Sequence, residues 1–176
     1  MPKKKPYMAT AKRIDWKTPK LVYKRLKYIF ELKFDPCPHK PIEGFDGLNM
    51  PWKSMNFINP PYSPPSVLRS WLEKAADESM QGNKTVALVP FRKWIFHYGM
   101  MNCSSVLILK KRLNFDDSPD PAPFDSMLLL FGFDRTERNH YYTKLKVFPY
   151  TAEMDGQLGY IEDLLPDWPA KHGRFS

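Results

Sequence analysis

Cysteine is scarce in this chain, with Cys37 and Cys103 the only two among 176 residues. Two thiols build no disulfide framework, so a reducing, cytoplasmic setting is expected. A zinc site drawn from Cys37, His39, His97 and Cys103 would lack the paired ligand spacing of such sites, and no metal is expected. No apolar run approaches the length of about 18 residues that a membrane helix needs. No charged-then-apolar leader opens the sequence, so neither a membrane nor export is expected. Internal repeats and linkers are missing as well, which favours a single domain large enough to bury a core.

What the chain does have is proline, aromatics and positive charge. It carries 18 prolines, 43% hydrophobic and 15% aromatic residues, and a net charge of +8. That aromatic content excludes global disorder, and a pI near 9.4 favours a polyanionic partner, with nucleic acid first. The oligomeric state is left open.

Apolar periodicity places helices and strands in alternation. Residues 1–14 read as a basic, flexible arm containing Lys3, Lys4 and Lys5. A helix follows Thr18-Pro19, with Thr18 as cap and Pro19 in the first turn, and runs to about Leu32. Strands are expected at residues 33–35, 55–58, 85–89, 105–109 and 126–133, with an edge strand at 144–148. Ser63 is expected to cap a second helix with Pro64 in its first turn, Gly82-Asn83 stops it, and a short helix covers 93–101. The domain then spans 15–150, and 151–176 form a C-terminal tail with no assigned role. Such alternation implies an α/β fold with a largely parallel sheet and helices on both faces. Ligands of these sheets sit beyond the carboxyl ends of the strands, where Asp35 and Asn59 fall.

Asn59-Pro60-Pro61-Tyr62 is the most specific motif. Two prolines fix φ and remove two backbone donors, so the local carbonyls point in set directions. Asn59 adds a side-chain acceptor and Tyr62 a flat ring with a hydroxyl. Together they suit a planar amine attached to a ring.

With these motifs in order, the chain resembles the phage-type DNA N-6-adenine methyltransferases. Four stretches carry the likeness: Asp15-Trp16-Lys17-Thr18-Pro19, Phe34-Asp35-Pro36-Cys37, Asp46-Gly47-Leu48 with Pro51-Trp52, and Asn59-Pro60-Pro61-Tyr62. A weaker echo runs through 86–90, 111–115 and 123–126. Pro36-Cys37-Pro38-His39 stands where many methyltransferases carry a glycine-rich loop.

The resemblance implies a Rossmann-like fold, S-adenosylmethionine as cofactor, and methyl transfer to the N6 amine of adenine in DNA with the base flipped out. It makes Asn59, Pro60, Pro61 and Tyr62 the catalytic residues. Trp16, Thr18, Pro19, Asp35, Pro36, Cys37, Asp46, Gly47 and Leu48 would border the cofactor. Phe124 is the candidate for the wall opposite Tyr62, and Arg92, Lys93, Lys110, Lys111 and Arg112 are candidates for DNA phosphates. The same tetrapeptide chemistry also fits an RNA adenine, a cytosine N4 amine or a protein glutamine amide. A nucleic-acid-binding module without catalysis is the non-enzymatic alternative.

Overall fold

The structure is a computed structural model that describes residues 16–150 and 156–166. The basic arm at 1–14 and residue Asp15 of the first motif lie outside the described residues. Among the described residues four helices, α1 (Lys20–Phe30), α2 (Pro65–Met80), α3 (Lys93–Asn102) and α4 (Arg135–Leu145), pack around six strands. The strands are β1 (Met55–Ile58), β2 (Lys84–Pro90), β3 (Ser105–Leu109), β4 (Ser126–Phe131), β5 (Val147–Pro149) and β6 (Leu158–Ile161).

They form one sheet in the order β1-β2-β4-β3-β6-β5. Side-chain alternation splits the core in two. Val86 and Leu88 of β2, with Leu128 and Leu130 of β4, meet Val22, Leu26 and Phe30 of α1. Ala87 and Val89, with Met127 and Leu129, meet Leu68 and Leu72 of α2 and Ile95 of α3. Strands buried on both faces read as continuous apolar runs, which is why they were legible.

The sheet is mixed, not largely parallel. β1 pairs with β2 and β3 with β6 in parallel, whereas β4 is antiparallel to both of its neighbours and β5 to β6. The reason lies in residues 110–125, which hold only a 3-10 turn at Phe115–Asp117. With no crossover helix, the chain turns back and β4 enters between β2 and β3 from the opposite end.

Other expectations shift by local chemistry. The strand at 33–35 contracts to a bridge in which Phe34 lies parallel to Asn56. Thr18 and Ser63 are not caps: Pro19 and Pro64 occupy the cap positions, and neither helix start has a side-chain cap. β4 stops at Phe131, before Gly132 at φ +79°. The edge strand begins at Val147, because α4 continues to Leu145. Residues 158–161, assigned to a tail, form a strand inside this sheet.

Asn56 fastens the start of β1. Its amide donates to the carbonyls of Lys53 (2.6 Å) and Lys84 (2.9 Å) and accepts from the Lys53 N–H (3.0 Å). Glu78 does similar work on α2, accepting from Trp52 N–H and Asn83 and pairing with Lys74 at 2.7 Å. Both buried polar groups are thus satisfied, as burial demands.

Candidate active site

β1, β2 and β3 all point the same way, so their carboxyl ends share one edge of the sheet. Asn59 follows β1, Arg92 follows β2, and Lys110, Lys111 and Arg112 follow β3. Asp35 comes directly after the Phe34 bridge, beside β1. Phe124 precedes β4, which starts at this edge. The sequence-predicted candidates therefore gather along one rim.

Two of the cavities along it meet at Cys37, His39 and Asn59. The larger, about 420 Å³, is walled by Pro36, Pro38, Ile42, Phe45 and Trp71, with Trp16, Asp46, Gly47 and Pro61 also on its lining. Its size falls in the range of small-molecule sites. The smaller, about 200 Å³, brings Asp35 together with Lys17, Thr18, Lys20 and Tyr23.

Asn59 is tied at both ends of its amide. Its nitrogen donates to the Trp16 carbonyl and to the Thr18 hydroxyl, the latter at 2.9 Å. Its oxygen accepts from the Tyr62 hydroxyl at 2.8 Å. A main-chain carbonyl accepts only, so the Trp16 contact fixes which end carries the nitrogen. Thr18 is thereby released from capping and spent on orienting this amide.

Tyr62 is 2% exposed, and burial pushes its hydroxyl well above the ordinary phenol range. Phe115 and Phe124 meet its ring edge to face at 6.2 and 5.7 Å. Trp16 in turn meets Phe124 at 5.1 Å and Phe115 at 5.7 Å. The expected pair of facing walls is therefore closed: Phe124 lies directly against Tyr62, and the Tyr62 ring offers no open face for stacking.

The cofactor-side candidates sit on a braced loop. Asp35 accepts from the Cys37 N–H at 3.0 Å, and burial raises its carboxyl to about 6 against that opposing hydrogen bond. No ion pair to Asp35 forms among the described residues. Burial, with Asp35 nearby, pushes the Cys37 thiol up to about 12, which disfavours the thiolate. Asp46 is exposed and closes a turn, accepting from Asn49 Nδ2 (2.7 Å) and the Leu48 N–H (3.0 Å). Those bonds hold its carboxyl below the usual range, the Asn49 amide foremost.

Gly47 shows why a glycine stands there. A Cβ on it would lie 1.8 Å from the Pro36 carbonyl oxygen, so only hydrogen fits between the two loops. Trp52 Nε1 donates to the Gly47 carbonyl at 2.7 Å, and its ring stacks on Trp71 at 6.2 Å. Pro19 is buried at the head of α1, and Leu48 is half-buried against the α2 side of the core.

The basic candidates are exposed, and four of them are engaged. Arg92 donates to the Tyr62 carbonyl at 3.2 Å. Lys111 pairs with Asp163, and Arg112 with Asp125 at 2.9 Å. Lys110 lies over the Tyr160 ring, 4.5 Å from its centroid. Lys93 opens α3. No cluster of three or more His, Cys, Asp or Glu that could hold a metal forms among the described residues, and none of their helices is long and apolar enough to cross a membrane.

Sequence reasoning missed Lys17, Lys20, Tyr23, Ile42 and Phe45. Lys20 reads as an ordinary solvated helix residue, and Ile42 and Phe45 sit in a loop without periodicity, so no pattern singled them out. Comparison with protein-family models, with curated proteins and with solved structures gives no match to this chain.

Proposed function

We propose that the protein transfers a methyl group from S-adenosylmethionine to the N6 amine of adenine in DNA. The observation that carries this reading is the placement of Asn59, an oriented acceptor at the junction of two chemically different cavities. The larger is mostly apolar and suits a purine nucleoside, with Asp46 at its rim. The smaller sets one carboxylate, Asp35, among two ammonium groups, Lys17 and Lys20, which suits a zwitterionic amino-acid end. A desolvated Asp35 raised to about 6 is a group that gains from a cationic partner.

Bound there, S-adenosylmethionine would supply an electrophilic methyl group, the electrons of the broken S–CH3 bond staying on sulfur as a neutral thioether. The chain supplies position and acceptors. Asn59 Oδ1 keeps one lone pair free beside the Tyr62 bond, and the Pro60 carbonyl adds a second acceptor for the two N–H bonds of the target amine. Held so, the amine nitrogen is drawn out of conjugation and its lone pair points along the transfer line. No strong base is needed, because the proton leaves to water after transfer. The rate gain comes from orientation and fixed dipoles. A base within a duplex must be flipped to arrive, and Phe124, half-exposed beside Tyr62, is the ring that must yield to admit it.

The test is transfer of a radiolabelled methyl group to unmethylated duplex DNA, with RNA and protein extract in parallel and nucleoside analysis of the product. Label in N6-methyladenine from DNA is expected. Label confined to RNA or protein would reassign the substrate, and no label from folded protein would remove the enzyme reading.

A further inference from the structure

The hairpin that ends the sheet carries an aromatic surface unrelated to the Asn59 cavities. Phe148 and Tyr150 of β5 and its extension are 50% and 43% exposed. Phe148 pairs with Tyr160 across the hairpin, and the Tyr150 N–H donates to the Leu158 carbonyl, so all three rings alternate onto one side of the sheet. Phe148 stacks on Tyr160 at 5.2 Å with planes 19° apart, and Tyr150 tilts against Tyr160 at 5.2 Å. Lys110 reaches over from the end of β3, 4.5 Å from the Tyr160 ring and 5.8 Å from that of Tyr150. The opposite side of the hairpin is different: Ile161 and Val147 turn into the α1/α4 core.

Half-exposed rings of this size cost free energy in water, and none of the three belongs to either core cluster. An ammonium held over two rings gives the patch a positive centre on a chain of net charge +8. Strand addition at this edge is disfavoured: β5 is three residues long and ends in Pro149, which has no N–H to donate. A partner must therefore lie on the ring faces rather than extend the ladder. Flat rings beside a movable cation match unpaired bases joined by phosphates.

We propose that the Phe148–Tyr150–Tyr160 face with Lys110 is a binding platform for single-stranded nucleic acid, with bases stacking on Phe148 and Tyr150 and Lys110 swinging to a phosphate. This surface does not depend on the Asn59 reading, and it acts on the nucleic acid away from any methylated base.

The experiment uses the full chain and a fluorescein-labelled oligothymidylate of about 16 nucleotides, read by anisotropy without cofactor. The probe holds no adenine and so no methyl acceptor. The double substitution Phe148→Ala with Tyr150→Ala is expected to weaken binding at least tenfold while melting like the parent, since both side chains are half in solvent. Lys110→Gln is expected to reduce the salt slope of binding by about one phosphate contact. A parent chain that fails to bind the oligonucleotide overturns the proposal, as does a double variant that folds and binds equally well. Loss in that variant of a concentration-dependent dimer, with no oligonucleotide binding by the parent, assigns the face to a second copy and overturns it too. Methyl transfer to a duplex is measured alongside: its absence with oligonucleotide binding intact would sink the catalytic reading and leave this one standing.

Discussion

The Thr18 hydroxyl accepts a hydrogen bond from the Asn59 amide at 2.9 Å across 41 positions of sequence. It ties the segment ahead of α1 to the end of β1 and fixes the rotation of the group that would hold the target amine. Thr18→Val keeps shape and removes the acceptor, leaving one amide hydrogen without its bond in a half-buried place. The expected result is a fall of about tenfold or more in kcat for methyl transfer, with the cofactor KM nearly unchanged. Thr18→Ser restores the acceptor and should restore most of the rate. Equal rates for the Val and Ser variants would show that Thr18 does not orient Asn59.

Asp35 makes the site sensitive to pH, and the sign follows from its environment. Burial raises its folded pKa from the ordinary 3.8 to about 6, so the fold favours the neutral carboxyl. The resulting penalty is absent below the unfolded pKa and fully present above about 6, with an upper bound of about 3 kcal/mol at ~1.4 kcal/mol per unit. Asp35→Asn keeps an acceptor for the Cys37 N–H and removes the charge. It should raise the melting temperature of the ligand-free protein at pH 7 and leave it unchanged near pH 4. A melting temperature that drops at pH 7 would mean the carboxylate is already compensated.

The same carboxyl predicts how the cofactor binds. A cationic amino group beside Asp35 lowers its pKa, so binding releases a proton below pH 6. Affinity for S-adenosylmethionine should rise by up to tenfold per unit as pH climbs to about 6 and then level off. Calorimetry in buffers of differing ionisation enthalpy reads the proton directly. A flat profile from pH 5 to 7 in the parent, identical to that of Asp35→Asn, would place the cation elsewhere.

Much of this was legible in the chain, for definite reasons. β2, β3 and β4 each carry a run of four or more apolar residues, β1 is apolar except for Asn56, and α2 has a clear stripe ending at Gly82. Strand direction was not legible, since a strand buried on both faces looks the same whether parallel or antiparallel. Only the helix-free connection 110–125 marks β4 as reversed. α4 was not anticipated, because it is polar on most sides and lacks a stripe; a capping box starts it, with Asp134 accepting from the Glu137 N–H at 2.8 Å while Glu137 accepts from the Asp134 N–H at 3.0 Å. In the site, the strand pattern put Asn59 and Asp35 at carboxyl strand ends, whereas only the structure puts Asp46 on the same cavity lining as Asn59. The closure of Tyr62 by Phe115 and Phe124 was not readable, because ring packing between distant segments leaves no local pattern.

Gly47 predicts a steric lesion away from any charge. Its missing Cβ makes room for the Pro36 carbonyl, whose two atoms are the nearest neighbours and, being main chain, cannot swing aside. Gly47→Ala should push the Asp35-Pro36-Cys37 loop from the turn at 46–48. The expected outcome is about 1–3 kcal/mol of lost stability with weakened cofactor binding, seen by denaturant melts and titration. A variant as stable as the parent would show that the two loops are not packed against each other in solution.

Tyr62 calls for a substitution that leaves its ring in place. The side chain is buried among Phe115 and Phe124, so Tyr62→Ala would open a core cavity at a cost of about 3–5 kcal/mol, and lost activity would then reflect lost fold. Tyr62→Phe keeps the ring packing and deletes only the hydroxyl that donates to Asn59 Oδ1 at 2.8 Å. Stability should fall by only about 1 kcal/mol, the worth of one hydrogen bond. Methyl transfer should fall by about tenfold in kcat, because the Asn59 oxygen loses the donor that holds it toward the amine, while the cofactor dissociation constant stays unchanged. Full activity in Tyr62→Phe would mean that Trp16 and Thr18 alone orient the amide and that Tyr62 serves the core.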